Sequence, residues 1–273
     1  MPQEGKEKAI ALEGGKQGNE IIARFLTHAR TYLKPHGTIL LVCSSLTPKM
    51  QTLFEQNLFT PTLLNKQHMF FEDIFIYQLS NDPRLLELQQ KKVRAIHYFA
   101  QGKRGLILTG IYRSKKVAIK IVRQASTSPG TIALEARVLK EVNKHHIGPH
   151  YLFHTKNTLI YQFVEGKHLR DLVQSPKINK LCTNILKQCH TLDQLHINKQ
   201  EMTRPTKNIL VKGTRVTLID FERSRKTNKP SNVTQFCQFI MKHVQQDNAW
   251  ITLAQAYSAG SPNAFKKMLE KLS

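Results

Sequence analysis

The run KNILVKGTRVTLIDFERS, residues 207 to 224, leaves the backbone little freedom. Two short apolar stretches, 209–211 and 215–219, flank Lys212-Gly213-Thr214, and this pattern reads as a β-hairpin. Closing a hairpin brings its two ends together. Those ends carry Asn208 and Asp220, an amide and a carboxylate that can converge on one cation. Magnesium takes few protein oxygens and completes its shell with other ligands and water, so an amide and a carboxylate side by side can meet its needs.

The chain has 273 residues with 40% apolar content, enough for one large or two ordinary domains with a core. Its charge is unevenly spread. Residues 1–82 hold eight basic and eight acidic side chains, whereas residues 83–273 hold 33 basic and 11 acidic ones, which accounts for the whole net charge of +22. That asymmetry predicts two units of different origin, and the basic part can attract polyanions such as RNA through counterion release. The basic residues are scattered, and no aromatic-interleaved RNA-binding motif accompanies them. Cys43, Cys182, Cys189 and Cys237 form no C-x-x-C pair and are expected as reduced core residues. No stretch approaches eighteen apolar residues, and MPQEGKEKAIALEGG lacks an apolar signal region, so the expected location is the cytoplasm.

Residues 19–33 have apolar side chains at helical spacing behind Asn19, a plausible cap. Pro35 and Gly37 break that helix, and the apolar run 38–43 reads as a buried strand. A helix near 47–57 and strands near 59–65 and 69–79 follow, an order that suits the edge of a doubly wound α/β sheet. ALEGGKQGNEIIARFLTHARTYLKPHGTILLVCSSLT and the later FFEDIFIYQL resemble the C-terminal part of HemK-type S-adenosylmethionine methyltransferases. That family's Gly-rich cofactor turn and Asn-Pro-Pro-Tyr motif lie upstream of the resembling part and are missing here. The resemblance therefore implies a methyltransferase C-terminal-like fragment at 1–82 without the cofactor-binding half. It either docks on a separately encoded N-terminal half or serves as a platform. A half sheet has an exposed strand edge and an uncovered apolar face, which favour a partner.

The order of elements changes after the turn and helical pattern of residues 80–95. HYFAQGKRGLILTGIYRSKKVAIKIVR reads as strand, turn, strand, turn, strand, with Gly102 and Gly105 at a tight connection over which a phosphate can sit. Lys120 ends VAIK, and Glu135 follows fifteen residues later on the helix TIALEARVLKEVNK, a spacing that holds a lysine against nucleotide phosphates. Two further strands then close in Glu165-Gly166 before an expected helix. The extended backbone from Gln162 to Val164 can offer a carbonyl and an amide to an adenine edge, with Tyr161 behind it. A long amphipathic helix at 178–198 precedes the opening hairpin, and helices near 231–246, 249–258 and 262–271 complete the chain.

The ordered set Gly102/Gly105, Lys120, Glu135, Val164-Glu165-Gly166, Asn208 and Asp220 resembles the protein kinase superfamily over residues from about 95 to 273, within an expected domain at 83–273. The nearest members by resemblance are the small atypical kinases: the RIO kinases, the kinase subunit of the KEOPS complex, and an archaeal group of predicted serine/threonine kinases. The resemblance implies an α+β two-lobed fold, with a smaller lobe near 95–163 and a larger one near 164–273. It also implies ATP between the lobes, Lys120 on the α and β phosphates, and Asn208 with Asp220 on magnesium. Kinases usually place an Asp five residues before the Asn, and Thr203 stands there. Glu201, in a loop two residues longer and kinked at Pro205, is the expected catalytic base. Glu222 replaces the Gly that usually follows Asp-Phe, and Arg223 and Arg225 are candidate phosphate or RNA contacts. The expected activity is phosphoryl transfer to serine or threonine of a protein or ribonucleoprotein substrate, or ATP hydrolysis. The alternatives are a nucleotide-binding pseudokinase scaffold and a subunit of a split methyltransferase.

Overall fold

Residues 18–102, 105–122 and 131–273 are described by a computed structural model. The chain divides into two compact units between Lys115 and Lys116. In the first, α1 (Glu20–Tyr32), β1 (Thr38–Ser44), α2 (Met50–Gln56), β2 (Phe59–Met69) and β3 (Glu72–Asn81) follow the expected order. Asn19 stands at the α1 cap, but its side-chain amide donates to Pro48 O at 2.9 Å and does not cap the helix. The strands form one antiparallel sheet in the order β1-β3-β2, and β2 continues four residues past its expected end.

Strand periodicity decides which face of that sheet is covered. Cys43, Phe59 and Leu79 pack with Leu26 of α1 and Leu53 and Phe54 of α2. The alternate residues face outward, and Leu40 and Val42 are 69% and 61% exposed. The expectation of a buried β1 is thus corrected, because the described residues lay helices on one face only. After β3 come α3 (Pro83–Gln90) and the antiparallel pair β4 (Arg94–Gln101) and β5 (Gly105–Tyr112). Asp82 caps α3 by accepting the Arg84 N–H at 2.8 Å, with Pro83 supplying a fixed φ in the first turn.

In the second unit β6 (Lys115–Val122), buried from Val117 to Ile121, pairs antiparallel with β8 (Thr158–Gln162), which pairs with β7 (Tyr151–His154). Helix α4 (Thr131–Asn143) turns Ile132, Ala136, Leu139 and Val142 inward at helical spacing. The helix expected after Glu165-Gly166 is instead β9 (Lys167–His168) and a single 3-10 turn, Leu169–Leu172. Gly166 lets β9 approach β11, since a Cβ there would lie 2.7 Å from Val211 O. Pro176 then separates the turn from α5 (Ile178–Gln194). Helix α5 ends four residues before its expected limit, and β10 (Ile197–Asn198) follows.

The hairpin forms as expected, β11 (Ile209–Lys212) with β12 (Arg215–Leu218), Ile209 opposite Leu218. The chain finishes with β13 (Arg225–Lys226), α6 (Asn232–Ile240) continued by a π turn (Met241–Gln245), α7 (Ala249–Ser258) and α8 (Ala264–Glu270). Leu181, Ile185 and Leu192 of α5 share one core with Phe236 of α6, Trp250, Met268 and Phe221. All four cysteines are buried and free. Asp193, at the end of α5, accepts the N–H groups of Asn232 and Val233 at 3.0 and 3.1 Å and so caps α6. No described helix is long and apolar enough to cross a membrane.

Candidate active site

Three elements of the second unit meet at Lys120. Strand β6 supplies the lysine, buried with 9% of the residue exposed, on a strand whose two faces are both covered. An ammonium taken out of water needs partners. Helix α4 provides the first, because Glu135 lies on its inward stripe and its Oε2 stands 2.7 Å from Lys120 Nζ. The segment leaving β12 provides two more: Asp220 Oδ1 at 2.9 Å and Glu222 Oε2 at 3.1 Å.

Burial alone would lower the Lys120 ammonium, but the charges of Glu135 and Asp220 reverse this and hold it above the ordinary lysine range. Burial raises the Glu135 carboxyl, which Lys120 only partly offsets. Asp220 is also pushed upward by burial, yet Lys120 outweighs that and holds it below the usual aspartate value. The lysine is thus charged over the whole physiological range, and Asp220 is a carboxylate beside it. Burial, with the Glu135 charge, raises the Tyr161 phenol.

The hairpin places Asn208 and Asp220 side by side. Ile219 N–H donates to Asn208 O at 2.9 Å, one residue before Asp220, so both residues leave the same end of the β11–β12 pair. Asn208 Nδ2 donates to Glu201 Oε2 at 3.0 Å, and Arg223 Nη1 donates to Glu201 Oε1 at 2.5 Å. Glu201 is 44% exposed on its side chain and lies in a loop where Gln200 and Glu201 both have positive φ, 64° and 58°. That loop is pinned from α6, where Asn232 Oδ1 accepts the Lys199 N–H at 2.8 Å and Gln235 Oε1 the Met202 N–H at 3.1 Å.

Of the residues singled out from sequence, Lys120, Glu135 and Asp220 are in direct contact, and Asn208 and Glu201 form a second bonded pair. Gln162 lies toward the N-terminal end of β6, where it pairs with Val117, three positions or about 10 Å along the strand from Lys120, and Val164 follows two residues later. The Gln162 N–H donates to His150 O at 2.8 Å and the Phe163 N–H to Lys116 O at 3.0 Å. Gly102 and Gly105 belong to the first unit, where Gly102 N–H donates to Gly105 O at 2.9 Å; the two residues between them lie outside the described residues.

Two contacts escaped sequence reasoning. Glu222 is a third carboxylate on Lys120, and Arg223 binds Glu201, whereas the sequence marked Glu222 only as standing in place of a Gly and Arg223 only as a candidate phosphate or RNA contact. No spacing rule signals either one, because both side chains reach their partners across the loop and not along a periodic element.

No family model and no curated protein matches the sequence. Among solved structures, the chain is similar to the Rio2 kinase of Chaetomium thermophilum, crystallised as an ADP/Mg2+-phosphoaspartate complex. The TM-score is 0.50 with 14% identity, over 82% of each chain. The likeness is one of fold, shared with the Rio2 kinase. A crystal structure described as a kinase domain also matches, with a TM-score of 0.44 and 18% identity over 50% of this chain and 52% of the other.

Proposed function

We propose that the chain is an atypical, serine/threonine-type phosphotransferase that uses ATP and magnesium to transfer or hydrolyse the γ-phosphoryl group. The observation that carries this reading is Lys120, a buried lysine held by Glu135 and Asp220 at 2.7 and 2.9 Å in a RIO-like fold. A charged lysine held that rigidly is suited to polyphosphate oxygens, because its orientation is fixed before the ligand arrives. That the Rio2 neighbour was crystallised with ADP and Mg2+ supports pairing a nucleotide with a divalent ion.

The donor set suits magnesium. Asp220 and Glu222 offer carboxylate oxygens, and their ligand atoms lie with Glu135's within 4.8 Å of one another. Asn208 commits its Nδ2 to Glu201, so the amide oxygen is what it offers a cation. Asn208 and Asp220 would hold the ion, which when bound supplies charge neutralisation at the phosphates. Lys120 binds the α and β phosphates, and the Val164 backbone borders the adenine edge. Glu201 accepts the proton of the attacking hydroxyl, oriented for that task by Asn208 and Arg223.

The test is γ-phosphoryl release or autophosphorylation from labelled ATP, in the parent and in Glu201→Gln. Loss of turnover of about 10²- to 10⁴-fold with ATP affinity within threefold supports a general base. Equal turnover in the two proteins removes Glu201 from the mechanism, and none in the parent at any magnesium concentration leaves only the pseudokinase scaffold.

The first unit supports a second reading, confined to itself. Its sheet leaves Leu40 and Val42 exposed on one face, and β1 pairs on one side only among the described strands. These features favour a protein partner for that unit, such as a separately encoded methyltransferase half. Co-expression that yields no complex on gel filtration removes it.

A further inference from the structure

Lys199 is 2% exposed, and neither the metal nor the nucleotide reading uses it. Its Nζ donates to the backbone carbonyl of Asp220 at 3.0 Å and lies 5.2 Å from the centre of the Phe221 ring. The same peptide unit is held from its other side, where Phe221 N–H donates to Glu135 Oε1 at 3.1 Å. In a trans peptide the C=O and N–H point in opposite directions. The Asp220–Phe221 peptide plane is therefore clamped between a buried ammonium and a buried carboxylate, each making a charge-assisted hydrogen bond.

The clamp sits where the backbone is least content. Asp220 has φ +62°, a left-handed conformation that a non-glycine residue keeps only when its surroundings hold it. Rotating this peptide would swing the Asp220 carboxylate away from Lys120 and carry Phe221, 1% exposed, out of the core. Burying an ammonium is costly, whereas an apolar side chain of similar length would fill the same space without that cost. What the lysine adds is a charged donor at one carbonyl. Its own position is fixed by Asn232, whose Oδ1 accepts the Lys199 N–H at 2.8 Å and whose Nδ2 donates to Ile197 O at 2.6 Å.

We infer that Lys199 is a positioning residue for the metal-binding Asp220: with Glu135 it locks the 220–221 peptide in the orientation that presents the carboxylate. This rests on the magnesium and ATP reading above, and it names how that site is kept formed before any ligand binds. Glu135 then has two tasks, Oε2 on Lys120 and Oε1 on the locked peptide.

The experiment uses the full chain and Lys199→Met, which preserves side-chain length and removes the donor. Calorimetry measures ATP affinity in EDTA and the MgCl2 concentration that half-saturates the magnesium-dependent gain in affinity. The expected result is a rise of at least about tenfold in half-saturating MgCl2, with metal-free ATP affinity within twofold, and faster amide exchange at Phe221. An unchanged MgCl2 requirement overturns the inference. So does a matched loss of metal-free and metal-dependent binding, which would mean that the lysine only packs. Should Lys199→Met fail to melt cooperatively, Lys199→Gln, whose shorter side chain does not span to the carbonyl, takes the same readings under the same criteria. Should the parent show no magnesium-dependent ATP binding, the functional reading fails by itself. The clamp is then judged on Phe221 exchange alone: acceleration in the variant keeps it, and parent-like protection removes it.

Discussion

Lys120→Met removes the cation from among three carboxylates and gives the most direct reading of how the cluster is balanced. Removing one partner of a buried ion pair costs about 3–5 kcal/mol, because the remaining charge stays uncompensated. The side chains of Glu135 and Glu222 are 4% and 12% exposed and would bear that cost, while Asp220, at 46%, is already partly hydrated. The lower end, about 3 kcal/mol, is therefore expected, after discounting Asp220 for solvent screening. For a cooperative unit of this size each kcal/mol shifts the melting midpoint by about 2–4 °C, so the variant should melt about 6–12 °C below the parent at pH 7.5.

The deficit has a definite pH dependence. Burial already raises the Glu135 carboxyl in the parent, and losing the lysine raises it further. A group whose folded value is raised favours the fold when protonated, so the deficit should shrink as the pH falls from 7.5 to 5.5. In the parent Lys120 is raised, so its contribution is complete below the ordinary lysine value and is lost only as the pH climbs above it. Circular-dichroism melts of the parent, Lys120→Met, Glu135→Gln and the double variant test this, with the double variant expected to be more stable than Lys120→Met alone. A midpoint within 2 °C of the parent, or a pH-independent deficit with additive double-variant effects, would refute the reasoning.

Glu201→Gln breaks only half-exposed contacts, so its stability should stay within about 0.5 kcal/mol of the parent in urea titrations, however large the loss of turnover. Gly166→Ala should cost more than Gly213→Ala, the latter about 1 kcal/mol: a Cβ at 166 meets Val211 O at 2.7 Å, whereas Gly213, at φ +64°, has open space around it. The buried thiols of Cys182 and Cys237 are pushed up to about 12. Their contribution is complete below the ordinary thiol value and fades above it, so stability should fall by up to about 1.4 kcal/mol per group per pH unit from pH 9 to 10. Cys182→Ala should flatten that fall in pH-dependent melts.

The parts of the site that follow a chain period were legible in the sequence. The β11–β12 hairpin was visible in two apolar runs, and Glu135 in its place fifteen residues after Lys120 on a helical segment; the structure adds that it lies on the inward stripe of α4, beside Ala136 and one turn from Ile132 and Leu139. Lys120 followed from the strand that carries it. Contacts made across loops were not legible: Lys199 reaches Asp220 O, and Arg223 reaches Glu201, through backbone conformations with positive φ at Gln200, Glu201 and Asp220 that no residue type announces. The buried reading of β1 failed for a different reason. An apolar run records that a strand can be covered on both faces, but a neighbouring layer must be present to cover it, and Leu40 and Val42 have none among the described residues.

The most direct test of the central claim is the melting midpoint of the full chain with ATP and MgCl2, compared with Asp220→Ala, each measured as a shift from its own ligand-free value. At ligand concentrations about 100 times the dissociation constant, the parent should gain about 2.7 kcal/mol, an upward shift of roughly 5–10 °C, most of it requiring MgCl2. Asp220→Ala should keep only the magnesium-independent part. A parent that does not respond to ATP and MgCl2, or an Asp220→Ala variant that responds as the parent does, contradicts the claim that Lys120 and Asp220 form a nucleotide–metal site.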